Sequence, residues 1–199
     1  MMVSILLSMF IFALTGAISP GPVNIIATGS GAAFGFRKTL PHITGASLAY
    51  TLIVFLSGSG LLAILEIFPG IFSLLQYLGA GFLLYMAYKL ATAKTQAAAG
   101  HQNSRAPRLF EGMLAQGLNP KAWLVALSGC SIFVGASDQG QSYLFAFCII
   151  SALVCFFSIA TWAAVGTLIQ KYLSDTRHQV MFNRIMGLLL AATVLTIFQ

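Results

Sequence analysis

The chain has 199 residues, 58% of them hydrophobic and only 7% charged, with a mean hydropathy of +0.90. Soluble domains carry about a quarter charged residues, so four acidic side chains cannot dress a globule of this size. The chain therefore reads as an integral membrane protein, and its formal charge of +6 needs an explanation other than a nucleic-acid partner.

A membrane helix needs about 20 predominantly apolar residues. In chain order the candidate spans are 4–33, 41–64, 71–92, 110–133, 143–169 and 180–198. The first has the apolar run of a signal peptide, but no Lys or Arg precedes it, so it is expected to stay as a mature span. It is also interrupted by Ser19-Pro20-Gly21-Pro22. Pro20 cannot donate to the Gly16 carbonyl, nor Pro22 to that of Ile18, and a proline inside a helix costs about 3 kcal/mol or more. Ser19 is pushed from the helical region by the proline after it, and Gly21 accepts whatever dihedral the break demands. A fresh half-helix is expected there, with Ser19 as its cap and Pro20 as its first residue. Its unpaired N–H groups and positive dipole end suit a carboxylate, and Asn24 adds an amide one turn on.

The separator "GFRKTLPH" leads to the second span and "EIFPG" to the third. The polar stretch 93–109 then divides the chain into a first three-helix repeat, 1–92, and a second, 110–199. The fourth span carries "GLNPKAW" at 117–123, a break at a position corresponding to the first. Asn119 can cap, Pro120 can start the second half-helix, and Lys121 adds a full positive charge. Three spans per half make the halves enter the membrane from opposite sides, so repeats would be inverted. Interrupted helices at matching positions of two halves point to a transport site. The carbonyls of Gly16, Ile18 and Gln116 are expected to accept from an ammonium, completing a pocket for a small zwitterion. A lone transmembrane proline is usually just a kink, but an intramembrane lysine defaults to function.

The remaining residues read more blandly. "GAAFG" at 31–35 is a small-residue helix-packing pattern, and Trp123 fits packing as well as it fits the pocket. His42, His101 and His178 read as solvated loop residues, Glu66 and Glu111 as interfacial. Cys130, Cys148 and Cys155 lack metal-ligand spacing and read as small buried hydrophobes. Arg184 shortens the last apolar stretch and is expected to snorkel. Arg37, Lys38, Lys89, Lys94, Arg105, Arg108, Lys171, Arg177 and Arg184 all flank the odd-numbered loops. The positive-inside rule then makes those loops cytoplasmic and places both termini outside, so no nucleic-acid partner is required.

At these residues the chain resembles the LysE/RhtB superfamily of bacterial amino-acid exporters. "SPGPVNIIATGSGAAFGFRKTL" is similar to its first-span signature and "GLNPKAW" to its second. "LLQYLGAGFLLYMAYKLATA" resembles its third span and "NRIMGLLLAATVL" its last. The resemblance implies an all-α fold of six transmembrane helices in two inverted three-helix repeats, and efflux across the inner membrane. It covers nearly the whole chain. Where the family often carries an Asp in its second span, Ala49 and Tyr50 stand here. That departure favours small neutral cargo such as threonine, homoserine, cysteine or O-acetylserine over lysine or arginine. The site residues are Ser19, Pro20, Gly21, Pro22, Asn24, Asn119, Pro120 and Lys121, with no cofactor and no metal. Partners are the amino-acid substrate, the bilayer and protons as coupling ion; a homodimer stays open. A basic amino-acid or metal-ion exporter is the nearer alternative. A membrane enzyme or thiol–disulfide carrier is the more distant one, since Ser19 and Asn119 stand where the carrier would need cysteines and no clustered catalytic groups are visible.

Overall fold

The computed structural model describes residues 2–61, 70–92, 105–135, 140–172 and 175–197, and every regular element among them is helical. In order these are α1 (Met2–Ile18), α2 (Pro22–Phe34), α3 (Phe36–Leu56, followed by a π turn Ser57–Leu61) and α4 (Gly70–Ala91). After them come α5 (Leu109–Gly117), α6 (Pro120–Phe133), α7 (Gly140–Tyr172) and α8 (Thr176–Ala192), which ends in a 3-10 turn, Thr193–Ile197. Among the described residues, three helices are long and apolar enough to cross a membrane, Phe36–Gly60, Gly140–Gln170 and Thr176–Leu195. The pair α1 and α2, bent by 61° at its break, makes a fourth if counted as one span. Glu66, Lys94, His101 and most of the 93–109 linker lie outside the described residues.

Large apolar side chains point outward along the bundle, among them Phe10, Leu14, Leu52, Leu153, Phe157 and Leu188. A soluble protein would hide them; lipid makes them neutral. Inside, Phe147 is fully buried between Phe12 and Phe133, at ring-centroid distances of 6.3 and 5.6 Å. The most enclosed element is α2, buried continuously from Pro22 to Ala32, as a helix that is apolar or small on every side must be.

The expected separator "GFRKTLPH" is a correction. One residue, Gly35, joins α2 to α3, and the helix runs straight through Pro41. Gly35 has φ 84°, a conformation that side chains resist and glycine does not. Thr39 stabilises the corner by bonding the Gly35 carbonyl (3.0 Å) and the Ser30 hydroxyl (2.9 Å). Consequently His42, expected in solvent, sits inside the bundle at 0% exposure.

The two halves interleave. Helix α2 packs on α7, α3 on α5 and α7, and α4 on α8. Two of these crossings are reciprocal glycine contacts. A Cβ on Gly31 would collide with the Ala163 carbonyl oxygen, and one on Gly166 with the Thr28 oxygen. Between α3 and α5, Gly45 stands in the same relation to Leu109 and Gly112 to His42. Small residues let helix backbones approach where lipid offers no hydrophobic drive for association. Gly31→Ala is therefore expected to cost about 1–3 kcal/mol of stability, because backbone cannot step aside as a side-chain tip can. Gly81 on α4 has nothing within 4 Å of its virtual Cβ, so Gly81→Ala should leave stability unchanged or raise it slightly. Thermal unfolding in detergent compares the two; equal melting temperatures would contradict the crossing.

Candidate functional site

The first break is built differently from the sequence expectation. Helix α1 ends at Ile18, the cap position of α2 is Gly21, and Pro22 rather than Pro20 is its first residue. Ser19 turns back instead and donates to the Gly16 carbonyl at 3.1 Å. With two prolines in the turn, the second supplies the fixed φ at the helix start and exposed Pro20 lengthens the break. Gly21 has φ −160°, an extended conformation open to any residue. Its value is space, since a Cβ there would lie 3.4 Å from the Lys121 ammonium.

The carbonyls released by this break find donors within the protein. Asn24 Nδ2 donates to Ala17 O at 2.8 Å and Ser19 O at 3.1 Å, and Ser158 Oγ also reaches Ala17 O, at 2.9 Å. Trp162 Nε1 donates to Ile18 O at 3.3 Å. Gln116 O accepts from the Asn119 N–H at 3.1 Å. Gly16, Ile18 and Gln116, expected as acceptors for an ammonium, are thus each engaged by the chain itself. The Asn24 amide likewise ties down the end of α1. Freed carbonyls in a low-dielectric interior cost several kcal/mol each, so side chains from α2 and α7 satisfy them.

The second break follows the sequence expectation. Asn119 Oδ1 accepts from Lys121 N at 3.2 Å and caps α6, and Pro120 is its first residue. Trp123 donates across the break to Gly117 O at 2.8 Å, a packing role. The Lys121 side chain then spans the two breaks. Its ammonium donates to Ser19 Oγ at 2.6 Å and to Ser19 O at 3.2 Å, a bond between residues 102 apart in the chain.

Between the breaks lies a cavity of about 40 Å³, lined by Gly21, Asn24, Asn119 and Lys121 together with Gly16, Val23 and others. That volume admits water-sized groups. No side chain caps α2, whose first residues Val23 and Asn24 line the space. Of the residues named from sequence, Ser19, Gly21, Asn24, Asn119 and Lys121 come together here, while Pro20, Pro22 and Pro120 shape the breaks without lining the cavity.

Three polar side chains of the lining had no part in the sequence-derived site, which used only the carbonyl of Gln116. Tyr50 on α3 and Cys155 on α7 are buried at the cavity wall. The Gln116 side chain links Cys155 to the second break, donating to Cys155 Sγ at 3.8 Å and accepting from Asn119 Nδ2 at 3.3 Å. The sequence resemblance had drawn attention to Ala49 and Tyr50, which stand where the resembled family often carries an Asp. Cys155 and Gln116 carry no comparable signature.

A lysine ammonium held between two helix breaks, inside an apolar helical bundle, matches the way membrane carriers build their sites. Comparison with known proteins agrees with that class: the LysE type translocator family model matches residues 14–197, and the chain belongs to this family. It is 31% identical over 201 residues to a protein of Salmonella typhimurium named cysteine/O-acetylserine efflux protein, covering 99% of this chain and all of the relative. Proteins of the same name from Salmonella paratyphi A (30% over 198 residues) and Escherichia coli O1:K1 (26% over 195 residues) align over 98% or more of both chains. No solved structure matches.

Proposed function

We propose that the protein is a secondary transporter exporting small neutral amino acids or their derivatives across the inner membrane, with cysteine and O-acetylserine as first candidates. The observation that carries this reading is the charge of the cavity. Among the described residues, Lys121 is its one ionisable group of full charge, and no carboxylate lines it. A substrate carboxylate would take the place that Ser19 now holds on the ammonium, with the uncapped start of α2 adding its N–H groups and dipole. Neutral Tyr50, Gln116 and Cys155 are left to face the side chain. A cationic side chain would find no counter-charge, so lysine and arginine export is disfavoured. The names of the full-length relatives point the same way.

The transport cycle follows from the breaks. Ser19 and Lys121 hold the two halves together across the cavity, and the present space is too small for an amino acid. Binding therefore requires the halves to move apart, and competition between substrate and Ser19 for one ammonium supplies the differential contact that such a shift requires.

Six spans arranged as two inverted repeats, 1–92 and 110–199 joined by the 93–109 linker, fit this reading. At the level of spans, a two-fold axis would map the α3–α7 and α4–α8 pairs onto themselves, and both pairs pack. With both termini outside, the basic loops would face the cytoplasm. Reporter fusions at each terminus, one active only in the cytoplasm and one only outside it, should both assign an external location; a cytoplasmic C-terminus would overturn the inverted repeat.

The function itself is tested by loading purified, reconstituted protein with unlabelled O-acetylserine or cysteine and measuring counterflow of the labelled compound. Exchange of these but not of lysine is expected. Equal exchange of lysine would reject the neutral-cargo reading. Replacing Pro20 and Pro22 together with Ala should leave the protein inserted yet slow this exchange, since it permits a straighter helix through the break. Unchanged counterflow in that variant would reduce the motif to a bend.

A further inference from the structure

His42 is an anomaly that substrate binding does not use. It is fully buried, and neither ring nitrogen has a hydrogen-bond partner. Buried polar groups are overwhelmingly paired, and one left unpaired is destabilising. The α3–α5 crossing holds it there, with the Gly112 backbone against its own carbonyl oxygen. The ring lies beside the Val23 backbone without completing a bond to it, and Val23 lines the cavity. One residue therefore separates this imidazole from the transport site.

The surrounding charges make the position responsive. Glu111 on α5 and Lys89 on α4 act on His42 electrostatically and bond each other at 2.6 Å. Arg105, before α5, reaches the second Glu111 oxygen at 3.4 Å. Helix α2, packed on the opposite side, contains no ionisable side chain. On α3 itself Arg37 and Lys38 are exposed and Tyr50 lies at the cavity wall, which Cys155 of α7 also lines.

We infer that His42 is the proton-binding site that couples export to an opposing proton flow. The inference rests on the transporter reading above and assigns its coupling ion a residue. With the crossing closed, no group accepts from the ring, and Glu111 is already engaged by two cations and the Arg108 N–H. An imidazolium there would be fully buried beside Lys89 with only the Val23 backbone in reach, so the closed crossing selects the neutral ring. A proton arriving from the emptied cavity past Val23 charges one ring nitrogen, adds a cation beside Lys89 and weakens the crossing. Once α3 and α5 separate, water on the basic side takes the proton away, and the neutral ring returns for the next substrate. Proton and substrate thus alternate, which is antiport.

The experiment uses the full-length protein in liposomes with labelled O-acetylserine. With the membrane potential clamped by potassium and valinomycin, one-for-one antiport driven by an interior more acidic by one pH unit should accumulate the substrate about tenfold. His42→Gln and His42→Asn, each checked for folding by gel filtration, should abolish that accumulation while exchanging labelled for unlabelled substrate at equal pH. A pH-sensitive dye trapped inside should report alkalinisation with substrate entry for the wild type and none for the variants. Gradient-driven accumulation persisting in both variants would overturn the assignment. So would wild-type counterflow without any gradient response, or folded variants that lose exchange and accumulation together, which would make His42 a packing residue. Absence of counterflow in the wild type would instead overturn the transporter reading.

Discussion

Lys121→Met is expected to leave a folded, inserted protein whose substrate affinity is lower by about 2–3 kcal/mol, roughly 30- to 150-fold. The fold should survive because both Ser19 oxygens keep partners without the ammonium. Ser19 Oγ still donates to Gly16 O, and Ser19 O still accepts from Asn24. Methionine preserves the apolar stem beside Gly21 and removes only the charge. The loss is that of a charge-assisted hydrogen bond to a carboxylate, set against the two bonds to Ser19 that the wild type gives up on binding. Lys121→Arg should not restore affinity, since a planar guanidinium is wider than an ammonium and Nζ already occupies the space beside Gly21, 3.4 Å from where a Cβ would stand. Binding to the purified variants, measured calorimetrically or by scintillation proximity, checks this. Wild-type affinity in Lys121→Met would move the site away from the two breaks.

The helices were legible in the sequence for a simple physical reason. A bilayer demands long apolar runs, and prolines within them have few interpretations; the spans over 71–92 and 143–169 lie within a few residues of α4 and α7. Asn119, Pro120 and Lys121 were legible because cap, first helical residue and charge are local roles. Ser19 was misplaced because two prolines offered two places to restart the helix, and only the donors from Ser158 and Trp162, more than a hundred residues away, decide how the turn closes. His42 was misread for a related reason. Arg37, Lys38 and Pro41 look like a loop, yet the left-handed Gly35 makes the corner in one residue and carries α3 directly into the bundle. Cavity residues such as Gln116 and Cys155 gain their roles only from helix packing, which leaves no local trace.

Glu111, read from sequence as interfacial, should prove the most costly residue to remove. It is buried and joins α4 to α5, with Oε1 on Lys89 at 2.6 Å and Oε2 accepting from the Arg108 N–H at 2.6 Å to cap the start of α5. Arg105, about half exposed, adds little through solvent. Removing one partner of a buried pair costs about 3–5 kcal/mol when both are enclosed; the Lys89 side chain is 24% exposed, so Glu111→Gln is expected to lose about 2 kcal/mol. Glu111→Ala also loses the cap, about 1 kcal/mol more, which for a chain of this size lowers the melting temperature by about 6–12 °C. Because the damage is an ammonium left without its counter-charge, adding Lys89→Met to Glu111→Gln should recover part of the stability, a coupling that a double-mutant cycle measures directly. Additive losses would show that Glu111 acts only as a helix cap. A Glu111→Ala protein melting with the wild type would remove it from the connection between α4 and α5 altogether.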